Sequence, residues 1–238
     1  MSLQSPAVVR RRIVILTAVS LEARAIARAW GLANPRPGRP VRTDDAVPTI
    51  ELHLVGIRAI RMPKDLHQPP IGAIIMAGLA GALDPTLRIA DIVIDDCPPA
   101  YIPTLIYRPG RIIAAPWIVS TPAEKAMLFR DTGALAVDME SSIARAAATE
   151  LGVPFISLRA ISDTASEVLD PAVLKMVNAF GRPRPLAIAG TLLRRPSLIP
   201  QLRQLGENAR LAAANLAAAV VALVHRINEV ELAPREIP

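Results

Sequence analysis

Residues 136–163 constrain what this chain can fold into more than any other stretch. A short apolar run, Ala136-Val137-Asp138, meets Met139-Glu140-Ser141-Ser142, and a helical pattern carries on to Gly152. Val153-Pro154 then opens Phe155-Ile156-Ser157-Leu158-Arg159-Ala160-Ile161, which ends on Ser162-Asp163. Two carboxylates, Glu140 and Asp163, therefore stand at the carboxyl ends of two apparent strands joined by one helix. In open α/β sheets that edge is where ligands bind.

The alternation extends along the chain. Residues 12–17 read as a buried strand, and Ser20 can cap a helix over 21–30 that Gly31 ends. Residues 34–48, rich in Pro, Gly and Arg, read as loop before a strand over 49–55. Pro63, Pro69 and Pro70 leave little regular structure before Ile71. A strand over 73–76 runs into Ala77-Gly78-Leu79-Ala80-Gly81-Ala82, where small residues allow either close approach of a ligand to the backbone or a tight turn. Another strand is expected over 87–95, then a proline-punctuated, extended stretch over 97–122 with two short strands. Short strand 135–137 precedes a helix over 139–151. A long helix follows from Pro200 to about 229, with Leu202, Leu205, Ala209, Leu216, Val220, Leu223 and Ile227 on one face. The expected fold is α/β, a single domain over 1–238 built on a wound mixed β-sheet flanked by helices.

Composition narrows the partners. Hydrophobic residues make up 52% of the 238, yet the longest uncharged apolar run, 211–224, has the length of a buried helix rather than of a membrane span. Arg10-Arg11-Arg12 ahead of an apolar stretch superficially resembles a signal peptide. Glu22 and Arg24 follow with no small-residue cleavage pattern, so a first core strand and a cytoplasmic location are expected. Cys97 is the only cysteine, and His53, His67 and His225 are scattered, so neither an intrachain disulfide nor a metal site is expected. The net charge of +6 opens three classes of partner: nucleic acid, an anionic lipid surface and phosphate-bearing substrates. With aromatics at only 3% and no recognised motif, nucleic acid is not expected. Basic charge joined to apolarity leans toward peripheral contact with a membrane surface, beside the plain alternative of a basic soluble protein.

The residues themselves leave several roles open. A carboxylate at Glu140 can take hydrogen bonds from two neighbouring hydroxyls, the arrangement a ribose diol presents. It can equally be a first-turn helix carboxylate. Asp163 can serve as a proton donor or as a loop cap. Glu22 has the same pair of readings as a functional or a first-turn carboxylate.

Val137-Asp138-Met139-Glu140, Val153-Pro154-Phe155 and Arg159-Ala160-Ile161-Ser162-Asp163 resemble the signature of the purine nucleoside phosphorylase and methylthioadenosine/S-adenosylhomocysteine nucleosidase superfamily. Upstream, 77–85, 87–93 and 18–22 resemble it in the same order. Within it, 132–141 and the Leu192-Leu193-Arg194-Arg195-Pro196 tail, running on to Leu202, are most similar to hopanoid-associated phosphorylases. The resemblance implies cleavage of the N-glycosidic bond of an adenine nucleoside, adenosylhopane in that branch. The soluble substrates of the nucleosidases, or a non-catalytic relative, are the alternatives.

By resemblance, Glu140 binds the ribose hydroxyls and Met139 packs against the sugar. Asp163 protonates the departing purine, with Ser162 beside it. Arg159 positions the acids, Ala77 and Gly78 form the approach to the substrate, and Glu22 activates water. No cofactor is implied, apart from phosphate as a co-substrate if the bond is broken by phosphorolysis. The phosphorolytic members hold phosphate where this chain has Met76 and Leu79, neither of which binds an anion, and only Arg24 offers a substitute. The base is usually contacted near Val119-Ser120-Thr121-Pro122, where no aromatic stands. Residues 101–117 and 183–199, carrying Arg108, Arg111, Arg184, Arg194 and Arg195, are candidate membrane-docking elements. The superfamily also implies a homo-oligomer.

Overall fold

A computed structural model describes residues 11–43, 48–67, 70–103 and 107–232. Expectations that touch residues 1–10, 44–47, 68–69, 104–106 and 233–238, including Arg10, Pro69 and part of the first docking element, lie outside those residues. Nine strands are described: β1 (Arg12–Thr17), β2 (Val41–Arg42), β3 (Thr49–Leu54), β4 (Ile71–Ala82), β5 (Ile92–Asp95), β6 (Tyr107–Pro109), β7 (Ile112–Ala114), β8 (Ala136–Asp138) and β9 (Phe155–Asp163). They form one mixed sheet in the order β2-β3-β1-β4-β9-β5-β6, with β8 paired to β4 and β7 to β8. The central strands β3, β1, β4 and β9 are parallel, whereas β5 runs antiparallel to β9.

Five helices accompany them: α1 (Ser20–Ala29), α2 (Pro122–Thr132), α3 (Ser141–Leu151), α4 (Pro185–Arg194) and α5 (Ile199–Leu232). Alternation along β1 sends Ile13 and Ile15 to one face and Val14 and Leu16 to the other. The first face meets Ile26 of α1 and Ala212, Leu216, Val220 and Leu223 of α5, all within one apolar core. The second meets Ala144 and Ala148 of α3. The sheet is thus flanked by helices on both faces, as expected. Helix α5 lies in the only described segment long and apolar enough to cross a membrane, but its apolar stripe packs on the sheet as a core helix does.

Two local expectations change. Residues 77–82 neither end β4 nor turn; the strand runs through them, because this edge pairs with both β9 and β8. The strand expected over 87–95 shortens to β5, since Asp84 Oδ1 accepts from Thr86 N and Asp91 Oδ2 from Arg88 N, bending the chain into turns. The two strands of the opening motif do not lie side by side. β8 pairs antiparallel with the end of β4, and β9 pairs parallel with its length. Helices α2 and α4 are additional to the sequence reading.

Candidate active site

The carboxyl ends of β1, β4 and β9 and the β8–α3 junction enclose a cavity of about 270 Å³. Glu22, Leu79, Met139, Glu140, Ser162 and Asp163 line it, together with the apolar Ile57, Trp117 and Leu169. Of the residues named from sequence, Glu22, Glu140, Met139, Ser162 and Asp163 are therefore brought together. Arg159 and Gly78 lie immediately beneath, and Ala77 is placed in the core against the α1 and α5 face. Met76 is likewise core, on the α3 face, while Arg24 borders a different concavity and donates from Nε to Ser20 O at 3.0 Å.

Glu22 sits in the first turn of α1, preceded by Val19 rather than by a capping serine; the Ser20 hydroxyl instead donates to Phe180 O. Its Oε2 accepts from the backbone N–H of Ala18 and Val19 at 3.0 and 2.9 Å, and Oε1 accepts from Leu79 N at 2.9 Å. Three N–H donors fix this carboxylate between the helix start and β4. Only 3% of the residue is exposed, and burial pushes its pKa up to about 7 against the pull of those donors.

Glu140 stands at the N-cap of α3 and accepts from Arg58 N at 2.9 Å. Burial raises its pKa, opposed by the charge of Arg159. Arg58 supplies that N–H from a left-handed backbone, φ +60°, in a single 3-10 turn over 57–59. A non-glycine residue held there stores about 1 kcal/mol or more of strain, which marks the turn as built for the contact.

Asp138 Oδ1 accepts from Glu140 N, Ser141 N and the Ser141 hydroxyl, while Oδ2 pairs with the Arg159 guanidinium. Arg159 is wholly buried; Nη2 makes the pair with Asp138, while Nε and Nη1 have no hydrogen-bond partner among the described residues. The guanidinium crosses directly over the Cα of Gly78, where a Cβ would overlap Nη1 and stand 3.1 Å from Glu22 Oε1. Only glycine leaves room for a cation beneath Glu22 and Glu140.

Asp163 ends β9 against Gly81, whose missing side chain makes space for Oδ2. Oδ1 accepts from the Ser162 hydroxyl at 2.9 Å, and Oδ2 from Lys125 Nζ at 2.7 Å. Lys125 was not foreseen from the sequence. It lies on α2, and the signal for that helix was legible: Thr121 and Glu124 form a capping box, Pro122 occupies the first turn, and Gly133 closes it at φ +65°.

Four acidic side chains thus border the cavity, Glu22, Asp138, Glu140 and Asp163, and two buried basic groups contact them, Arg159 on Asp138 and Lys125 on Asp163. Glu22 and Glu140 keep no cation of their own. Such a pocket suits a substrate that becomes positive as it reacts. Among the described residues no Arg or Lys lines the cavity, and no three His, Cys, Asp or Glu side chains gather to hold a metal ion.

Residues 106–184 match the family model of the Phosphorylase superfamily. The futalosine hydrolase of Streptomyces coelicolor is 25% identical over 224 residues, covering 73% of this chain and 95% of that protein. Among solved structures, the 5′-methylthioadenosine/S-adenosyl homocysteine nucleosidase of Helicobacter pylori superposes with a TM-score of 0.64 at 19% identity, covering 92% of this chain and 99% of the other. That of Colwellia psychrerythraea, in complex with adenine, gives 0.64 at 14% identity, covering 92% and 96%. The chain has the nucleoside phosphorylase-like fold, and its likeness to the Phosphorylase superfamily falls on the segment that carries Glu140, Arg159 and Asp163.

Proposed function

We propose that this protein is an enzyme that cleaves the N-glycosidic bond of an adenine nucleoside, and that it does so with water. The observation that carries the reading is that one cavity is lined by two acidic side chains from different elements: Asp163 on β9 for the departing purine, Glu22 on α1 for the attacking water. Rupture of the bond leaves positive charge on the ribose and negative charge on the base. Asp163 protonates the base, Glu140 holds the ribose hydroxyls, and its carboxylate lowers the energy of the cationic sugar. Glu22, fixed by three N–H donors, takes the proton of the water. The lining favours water over phosphate: a dianion in this cavity meets Glu22 and Glu140 with no lining cation among the described residues, and Leu79 offers it no hydroxyl.

The substrate we propose is adenosylhopane, reached in the cytoplasm by peripheral contact with the inner membrane. Helix α4 supports it. Leu186 and Leu193 are 91% and 87% exposed, and arginines 184, 194 and 195 flank them. Apolar side chains ringed by cations suit an anionic bilayer surface. Of the other docking element, Trp117 lines the cavity and is 58% exposed. The likeness to futalosine hydrolase and to the nucleosidases favours a second reading, a small soluble nucleoside. A homo-oligomer, implied by the sequence resemblance, belongs to both.

One assay separates these readings: adenine release from adenosylhopane in anionic vesicles and from methylthioadenosine, each with and without phosphate. The expected result is release from adenosylhopane at a rate unchanged by phosphate. Release from methylthioadenosine alone sinks the hopanoid reading, and a strict need for phosphate sinks hydrolysis.

The raised pKa of Glu22 sets the pH dependence. Below about 7 this carboxyl carries a proton and cannot accept one from water; above it, the base is ionised. Hydrolysis is therefore expected to climb as pH rises through about 7, falling about tenfold per unit on the acid side. A kcat/KM profile from pH 5 to 9 checks this, and Glu22→Gln should abolish that limb together with most of the activity.

A further inference from the structure

Helix α2 lies on the surface, and the one residue it buries is a lysine. Lys125 is 0% exposed. A buried ammonium needs an acceptor for each of its three hydrogens, and Nζ finds them at Asp163 Oδ2 (2.7 Å), Thr164 O (2.6 Å) and Glu167 O (3.2 Å). The two carbonyls belong to the turn that follows β9, where Thr164 N donates to Glu167 Oε2. Lys125 thus ties the helix, the turn and the acid together. A surface helix of this length has no packing need for a buried charge, since an apolar side chain would serve the fold better.

We propose that Lys125 is a positioning residue for departure of the base. Its ammonium holds Asp163 by Oδ2 and stabilises the negative charge Asp163 acquires as its proton passes to the purine. This rests on the glycosidic-cleavage reading above. In the step, the C1′–N9 bond breaks with its electron pair going to the base. The O–H of Asp163 breaks and an N–H forms on the purine, while Lys125 keeps all three protons. Water then adds to C1′ and yields its proton to Glu22, and exchange with solvent resets both carboxyls.

A role of this kind makes the effect of Lys125 depend on the leaving group. The wild-type protein, Lys125→Met, Lys125→Gln, Asp163→Asn and the double variant Asp163→Asn/Lys125→Met are compared by kcat and KM. Two substrates are used: the adenine nucleoside the wild type turns over, methylthioadenosine or adenosylhopane, and 4-nitrophenyl β-ribofuranoside, whose phenolate leaves without a proton. Lys125→Met is expected to lower kcat about 100-fold on the nucleoside and only about two-fold on the nitrophenyl riboside, with KM little changed. In the Asp163→Asn background the same change should cost nothing further on the nucleoside.

Equal losses on the two substrates, or losses that add to those of Asp163→Asn, overturn the proposal and make Lys125 a structural residue. If Lys125→Met does not fold, Lys125→Gln and the double variant, which leaves no lone carboxylate in the core, carry the comparison. Where the wild type does not cleave the nitrophenyl riboside, the additivity result decides alone. A wild-type protein that releases adenine from neither nucleoside removes the glycosidic reading itself, an outcome distinct from the pattern among the variants.

Discussion

Asp163→Asn should lower adenine release about 1000-fold, the scale a positioned general acid contributes, while leaving the fold in place. Asparagine matches aspartate in shape and keeps its one oxygen on Lys125 Nζ, while its NH2 faces Ser162 Oγ, which can turn to accept from it. It has no acidic proton to give the purine. The loss should therefore fall on kcat, with KM nearly unchanged, because in the proposed mechanism the ribose is held by Glu140 rather than by Asp163. Stopped and continuous assays of adenine release, alongside the melting temperature, separate chemistry from damage. An Asp163→Asn protein within about tenfold of wild type would remove the residue from the acid role.

The second large effect is expected from a single methyl group. Gly78→Ala places a Cβ inside the space held by Arg159 Nη1 and 3.1 Å from Glu22 Oε1. Gly78 is not among the residues with positive φ, so the conflict is one of volume rather than of backbone conformation. The neighbours cannot yield cheaply. Arg159 is fully buried and tied to Asp138, and Glu22 is held by three backbone donors. Overpacking of this kind costs about 1–3 kcal/mol, or a fall of about 3–10 °C in Tm for a chain of this size. Activity should fall by more than about 100-fold, since displacement of a reacting group by 1 Å costs that much.

Gly133→Ala is the control. It replaces a left-handed cap at the end of α2 with nothing within 4 Å of the new atom. It should lose about 1 kcal/mol of stability and keep its activity. Equal activity losses in the two variants would show that Gly78 acts only through stability.

These sites differ in how far they could be read from the sequence. The strand ends that carry Glu140 and Asp163 were legible, because β-branched runs bounded by Gly152 and Pro154 leave few alternatives. The face that each carboxylate turns to the cavity was not, since it depends on β8 running antiparallel to β4. The small residues of 77–82 were legible as a place of close approach. What approaches turned out to be this chain's own Arg159 and Asp163, and that pairing follows from register across β4 and β9. Helix α2 had a readable start and stop at Thr121 and Gly133. The contact it makes does not follow from them, because Lys125 and Asp163 are 38 residues apart and meet only when α2 folds back over the end of the sheet. The turns capped by Asp84 and Asp91 shortened an expected strand for a simpler reason: local side-chain hydrogen bonds outbid strand propensity.

The buried pair of Arg159 and Asp138 has a consequence for engineering. A charged pair sealed from water, with the guanidinium Nε and Nη1 lacking hydrogen-bond partners among the described residues, is the kind of arrangement that apolar replacements of similar volume commonly outperform in stability. Selection for heat resistance alone would therefore drift toward losing Arg159, and with it the cation under Glu22 and Glu140. Thermostable variants of this enzyme are better sought on α4 and the loops, with positions 78, 138 and 159 held fixed.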